Sequence, residues 1–410
     1  MTDERRLHLF ERVGVEIEYM IVDQETLDVR PIADKLFHDV LGTYGSDVEG
    51  ETVTWSNELV AHVLELKTTL PVENVELAGR SFVPELSRIL SLLQKRDAVL
   101  MPTAMHPWMN PKTETTLWPH EGREVYENFD RVFGCQGHGW SNLQSMHLNL
   151  PFANDEEFGR LHAAIRLVLP LIPALAASSP FEEGIATGWL DNRLKHYRTN
   201  SKRIPQVAGE VIPEPVRSQE EYHDKIFKPM FEAIAPFDPE EEMQEEWLNA
   251  RGAIARFERG SIEIRVIDSQ ESPVADSIVG SAVVALARSL VQEEWSSYED
   301  QFSLDQSSLV ELFENACRRG EEAVALDSRY LRMFDIVSAA MKAGDLWRAI
   351  ARRLPVEIGE PLLNQVDRKP LARRLLLNAH EKPSKTQLLT IYRQLVDCLA
   401  ENRFFDPNRG

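Results

Sequence analysis

The chain has 410 residues, 43% hydrophobic and 27% charged, with 45 Lys and Arg against 66 Asp and Glu for a formal net charge of -21. That length admits two or three units, or one large enzyme fold with an appendage, and the apolar fraction suffices for a sizeable core. The acidic balance argues against a nucleic-acid-binding surface, which needs clustered positive charge, yet it leaves room for a nucleotide held by a local basic pocket and metal ions.

In chain order, Met1-Thr2-Asp3-Glu4-Arg5-Arg6 lacks the basic-then-apolar layout of a signal peptide. Residues 12–22 read as a strand, because carboxylates alternate with apolar residues through Val13-Gly14-Val15-Glu16-Ile17-Glu18-Tyr19-Met20. The alternation puts Glu16 and Glu18 on one face, about 6.6 Å apart, and Val15, Ile17 and Tyr19 on the other. Two readings fit: a solvated acidic face, or two anions held by a hard, oxygen-seeking cation such as Mg2+. A second strand is expected over 60–68, interrupted by Glu65. Glu58 lies seven residues earlier, an odd spacing that puts it on the opposite face of a regular strand. Both serve one site only across a turn or bulge, and Glu58 is otherwise an exposed strand-start residue. Residues 75–100 repeat at helical spacing, with Pro84 as a break or a first-turn residue.

Gly134, Gly137 and Gly139 read as turn glycines rather than a phosphate loop, since no helix follows them directly. Residues 142–150 read as a third strand, with Ser145, His147 and Asn149 on a polar face and Met146, Leu148 and Leu150 on an apolar one. His147 is there either a satisfied histidine or a ligand. Residues 155–169 open on an acidic turn, favourable at a helix start. The most apolar stretch, Leu167 to Ala177, is broken by Pro170 and Pro173 and too short to span a bilayer. Asp191 to Arg198, with Lys202 and Arg203 nearby, is either a helix end or a basic cradle for phosphates and a carboxylate. Residues 201–217, with Pro205, Gly209, Pro213 and Pro215, read as a long irregular loop of the kind that often covers a site. The acidic run from Asp238 to Glu242 reads as a solvated helix start.

Residues 254–268 read as a fourth strand, in which Glu263 and Arg265 share a face opposite Ile262, Ile264 and Val266. That pair is either an ordinary ion pair or a metal carboxylate beside an anion-binding guanidinium. From about Asp276 helices dominate, over 277–295, 309–325, 330–343, 346–353 and 387–403. Strands far apart in sequence, with helices between them, predict an α+β fold around one large sheet. Cys135, Cys317 and Cys398 are widely separated and form no CxxC pair, which fits a reduced cytoplasmic protein with buried thiols.

The succession of Gly14-Val15-Glu16-Ile17-Glu18, Glu65-Leu66-Lys67-Thr68, Ser145-Met146-His147-Leu148-Asn149, Ala176-Ala177-Ser178-Ser179-Pro180-Phe181 and Ile262-Glu263-Ile264-Arg265 resembles glutamate–cysteine ligase family 2 over residues 10 to 300. The resemblance implies a large curved antiparallel sheet with helices on its convex face, of the glutamine synthetase and guanido kinase type. The chain is expected to divide into a catalytic core over 1–300 and, where the resemblance is weak and helices dominate, a C-terminal helical region over 301–410 packed on it. The resemblance also implies ATP with Mg2+ or Mn2+ on the concave face, and Glu16, Glu18, Glu58, Glu65, His147 and Glu263 as metal ligands. Arg265 and Arg193 would assist catalysis; Arg265, Lys195 and Arg203 would bind the nucleotide; Arg193, Tyr197 and Asn149 would hold substrate.

The implied activity is ATP-dependent amide-bond formation through a γ-glutamyl phosphate, with cysteine as the default acceptor, as in glutathione biosynthesis. Its partners would be small molecules, not nucleic acid or membrane, and a homo-oligomer is left open. Three alternatives stand beside it. One is a different acid or amine on the same fold. Another is phosphotransfer to a guanidino group, which needs a reactive cysteine near the substrate, with Cys135 the only candidate outside the helical tail. The third is a non-catalytic ligand-binding member, against which stands the presence of the acidic residues and His147. The chain departs from the commoner family pattern at Asn149, where many members have a second histidine, and at Asp191 to Arg203, where an arginine-rich loop is expected.

Overall fold

The computed structural model describes residues 6–379 and 382–407. Ten of its strands, in chain order, are β1 (Gly14–Asp23), β2 (Asp47–Val48), β3 (Val53–Asn57), β4 (Val63–Thr68), β5 (Ala98–Met101), β6 (Ser145–Pro151), β7 (Phe181–Glu182), β8 (Ile185–Ala186), β9 (Ala253–Arg256) and β10 (Ser261–Asp268). An eight-stranded sheet runs β2-β3-β4-β1-β6-β10-β9, with β5 added to β1, while β7 and β8 form a separate hairpin. All of these pairings are antiparallel. The fold is therefore α+β around one large antiparallel sheet.

Register decides which side chains meet. Glu16 pairs with Lys67 and His147, Glu18 with Glu65, and Asn149 with Gly14 and Glu263. Directly paired residues point to the same side of a sheet, so polar residues from four neighbouring strands gather on one face. The other face carries Val15, Ile17, Leu64, Leu66, Met146, Leu148, Ile262 and Ile264, all buried. They form one core with residues of the helices Val75–Gln94, Asp155–Val168 and Pro273–Val291.

Those helices begin where the chain supplies caps. Asn74 accepts from the Leu77 amide at 2.9 Å, and Asn154 accepts from the Glu157 amide at 3.0 Å with three acidic residues in the first turn. Two glycines allow close approach. A Cβ on Gly79 would fall on the Ser277 hydroxyl, and one on Gly280 would meet the Met146 methyl. Pro273–Val291 is long and apolar enough to cross a membrane by composition, and here it is mostly buried in this core.

The C-terminal helices belong to the same body. Gln306–Arg319, Ala343–Ala351 and Val356–Arg368 add Leu309, Phe313, Leu346, Trp347 and Leu362 to the main core. Leu371–Leu377 and Lys385–Ala400 form a second apolar cluster with Met20, Val22 and Met101 at the far end of β1 and β5. A buried ion pair, Arg374 Nη1 to Glu271 Oε1 at 2.6 Å, ties this region to the chain just past β10.

Several expectations are corrected. The helix expected over 75–100 keeps Pro84 inside it but ends at Gln94; Asp97 turns with φ of +52°, and Ala98–Met101 become β5. Residues 254–268 are a hairpin of β9 and β10, turning at Gly260 with φ of +64°. Of the helix expected over 330–343, only its start is helical, in Ser328–Arg332, and Met341–Lys342 pairs as a strand. A short helix, His138–Ser141, does follow Gly137. The segment 201–217 contains a single 3-10 turn, Pro205–Val207, and buries Val207, Val211, Ile212 and Val216, so it is packed rather than a free cover.

Candidate active site

On the polar face, Asn149 Nδ2 donates to Glu16 Oε1 at 3.0 Å, and His147 Nδ1 lies 3.1 Å from Glu16 Oε2. The other ring nitrogen, Nε2, lies 2.9 Å from the Ser145 hydroxyl, which with the Ser145 amide donates to Glu18 Oε2 at 3.1 and 2.7 Å. Glu263 accepts from Arg256 at 3.2 Å and lies 3.1 Å from Arg265 Nε. Glu18, Glu65, His147 and Glu263 are all buried.

Two details bring in residues that strand parity alone would misplace. Glu58 sits beyond the end of β3, in the connection to β4, and this turn carries its carboxylate round to the polar side, where it lines the same pocket as Glu18. β10 has a bulge: Ile264 pairs with Leu148 and Ile267 with Met146, so Arg265 and Val266 together oppose His147. Arg265 keeps the polar face that parity gives it and lines the site, while the bulge returns Ile267 to the core face and puts Asp268 opposite Ser145 on the polar side.

The carboxylates outnumber their local cations, and the protons record it. Burial disfavours the Glu16 charge, but the hydrogen bond and positive ring of His147, with Glu65 and Lys67, hold its carboxyl at about 2. Burial and the charge of Glu18 push Glu58 up to about 8. Burial, Glu16 and Glu58 push Glu65 well above the ordinary carboxylate range. His147 is raised, since Glu16 and Glu18 outweigh the burial that disfavours its charge. Such a set holds protons for want of other cations, and a divalent ion could replace them.

The donors fit a hard divalent metal. Single ligand atoms of Glu16, His147 and Glu263 lie within 4.8 Å of one another, as do those of Glu18, Glu65 and His147. Carboxylate oxygens with one imidazole suit Mg2+ or Mn2+, and the buried Asn149 Oδ1 has no hydrogen-bond partner. His147 belongs to both sets, yet a neutral imidazole offers one lone pair, so it can serve only one while its other nitrogen donates. Glu58 belongs to neither set.

Beside this face lies a pocket lined by Glu18, Glu58, Ser145, His147, Arg193 and Arg265, and also by Phe129, Trp140 and Trp247. A second pocket, at the Glu16 and Asn149 end, is lined by Arg6, Gly14, Thr68, Arg259 and Ser261. Arg193 is nearly inaccessible: Nε donates to Asp268 Oδ1 at 2.5 Å and Nη1 to the Arg265 carbonyl at 3.2 Å, leaving Nη2 without a partner. Asp268 is itself held by the Ser178 amide at 2.8 Å and the Ser179 hydroxyl at 3.3 Å, which gives the Ser178-Ser179 motif a positioning role. Tyr197 lines the first pocket and donates to the Arg251 carbonyl at 3.3 Å. Lys195 and Arg203 are not brought to either pocket. Lys195 pairs with Glu182 at 3.1 Å, and Arg203 donates to the Val132 carbonyl and stacks over Phe237.

Arg256, Asp268 and the aromatic wall escaped sequence reasoning. Arg256 lies at the end of β9 directly opposite Ser261, and only a hairpin assignment would have placed it beside Glu263. Cys135, the candidate for guanido chemistry, is buried, lines neither pocket, and is pushed up to about 12 by burial, an inert thiol.

A sequence model described as Glutamate-cysteine ligase family 2 matches residues 12–357. A protein of Archaeoglobus fulgidus named "Uncharacterized protein" is 29% identical over 393 residues, covering 96% of this chain and 100% of its own length. "Putative glutamate–cysteine ligase 2-3" of Rubrobacter xylanophilus is 27% identical over 84% of both chains. Among solved structures, glutamate–cysteine ligase of Francisella tularensis in complex with AMP superposes over 98% of this chain and 91% of its own, with a TM-score of 0.56 at 12% identity. A bifunctional glutathione synthetase of Pasteurella multocida gives a TM-score of 0.59 at 14% identity, over 95% of this chain and 53% of that one. At such identities these likenesses speak for the fold.

Proposed function

The chain belongs to glutamate–cysteine ligase family 2, and on that footing we propose that it is an ATP- and Mg2+-dependent carboxylate–amine ligase working through an acyl phosphate. The observation that carries this is the convergence of Glu16, Glu18, Glu65, His147 and Glu263 on one sheet face, with Arg265 3.1 Å from Glu263 beside it. The sheet is read as the glutamine synthetase type.

A donor carboxylate, glutamate or a similar acid, attacks the terminal phosphoryl group of ATP and releases ADP; an amine nitrogen then attacks the acyl carbon and expels phosphate. Bound Mg2+ or Mn2+ would neutralise charge where a carboxylate approaches the triphosphate, held by Glu16, Glu18, Glu65, His147 and Glu263. Arg265 adds a fixed positive charge at the same place. Arg193, immobilised by Asp268, offers Nη2 towards a substrate carboxylate, with Tyr197 beside it. Asn149 fixes the Glu16 carboxylate from below. The nucleotide is assigned to the pocket at the Glu16 and Asn149 end, and the acid and amine to the aromatic-walled pocket. No covalent nucleophile is required.

The test is ADP release from ATP with glutamate and a panel of amines, in Mg2+ or Mn2+. We expect ADP formation to depend on both acid and amine, and Glu16→Gln to lose it by about a hundredfold or more while melting like the parent. The absence of ADP above background with every acid–amine pair, or full activity in Glu16→Gln, would refute the proposal.

A further inference from the structure

The pocket that holds Glu18 and Glu58 also has an aromatic wall, apolar to a degree that a small polar acceptor would not use. Phe129 lies with its ring centroid 5.5 Å from Trp140 and 5.5 Å from Trp247, so the three form one continuous surface. Each is only partly buried, and each lines the pocket that contains Glu58. Leu59, Val60 and Leu143 extend this apolar lining. Half-covered aromatic surface that faces inward, in a cleft with a few convergent polar groups, is the usual signature of a ligand that supplies matching apolar area.

Glu58 stands where the aromatic wall meets the acidic face. Its carboxylate accepts no hydrogen bond and makes no close ion pair among the described residues, and it lies outside both metal-donor sets. A carboxyl so placed is free to pair with a cation brought in by the ligand, and an amine substrate arrives as an ammonium ion. Aromatic faces next to that position favour an organic cation further, through their negative ring faces.

The geometry points to an acceptor amine that carries a bulky apolar or aromatic group, with its ammonium beside Glu58 and its body against Phe129, Trp140 and Trp247. Cysteine, with a small side chain and a carboxylate of its own, leaves the wall uncovered and brings a further anion to the acidic face. This specificity rests on the ligase reading above, and it adds a substrate class to it.

The experiment compares phenethylamine, methylamine and cysteine as acceptors, with ATP, glutamate and Mg2+, and in parallel measures phenethylamine binding by calorimetry. Expected is a kcat/KM for phenethylamine about thirtyfold or more above those for methylamine and cysteine. Trp247→Ala should bring the phenethylamine-to-methylamine ratio down about tenfold. Trp247→Leu keeps an apolar filler and is the control if the alanine variant does not fold; its ratio should fall less. Equal or better use of methylamine or cysteine overturns the inference while the ligase reading stands. Saturable phenethylamine binding weakened in Trp247→Leu, with no ADP from any pair, supports the pocket assignment and defeats the ligase reading. No phenethylamine binding at all overturns the pocket assignment whatever the turnover.

Discussion

Glu58 concentrates the electrostatic argument in one side chain. In the folded protein its carboxyl is held at about 8 by burial and by Glu18, whereas in the unfolded chain it ionises near 4.5. Between those values the unfolded state gives up the proton and the folded state keeps it, so stability falls as pH rises from about 4.5 to about 8. Glu58→Gln cannot ionise and escapes that loss. In the presence of a chelator, its unfolding free energy is expected to match the parent near pH 5 and to exceed it by pH 8, by about 2 kcal/mol after discounting for the pocket's solvent. Melts that run parallel at both pH values would contradict this origin of the shift. Much of the site was legible at this scale, because period-two alternation places Glu16, Glu18, Glu65, His147 and Glu263 by parity alone. What parity could not show was Glu58, which a turn redirects. It was equally silent on Asp268 and Arg193, whose meeting joins residues 75 positions apart.

Among the elements, the bulge in β10 and the helix Asp155–Val168 carry the clearest consequences. The bulge resets the face of every residue after Val266, and no sequence signal marks it, since Arg265-Val266-Ile267 reads equally well as regular strand. β5 escapes sequence reasoning for a related reason: a short apolar run such as Ala98–Met101 is compatible with either helix or strand until a partner is known. The helix buries His162 without a hydrogen-bond partner for either ring nitrogen. Burial and the positive charges of Arg166 and Arg251 hold its ring neutral down to about 3. An unfolded histidine protonates near 6.5, so stability contributed by the neutral ring is lost as pH falls from about 6.5 towards 3. His162→Leu removes both the unpaired nitrogens and this titration. It is expected to melt at or above the parent at pH 7, and to lose about 2 kcal/mol less than the parent between pH 7 and pH 4.5. A variant that melts well below the parent at pH 7 would show that His162 has a partner it needs.

At the scale of the molecule, one sheet does two jobs: its apolar face builds the core and its polar face is the candidate platform for metal and nucleotide. Helices past residue 300 join both the core behind that sheet and the cluster beside β1 and β5, so the platform is held from behind by residues from the whole length of the chain. Composition and patterning foretold this division of an α+β fold. They did not foretell the C-terminal packing, because amphipathic helices declare an apolar face without naming its partner. The central claim, that the polar face binds divalent cations, is tested most directly by titrating the protein with Mn2+ and counting bound ions by the loss of the free-ion resonance signal. The account expects saturable binding in the parent. It expects Glu65→Gln and Glu263→Gln each to weaken binding by about tenfold or more, because each removes a carboxylate from a different donor set. Mn2+ binding that is absent in the parent, or unchanged in both variants, would contradict it.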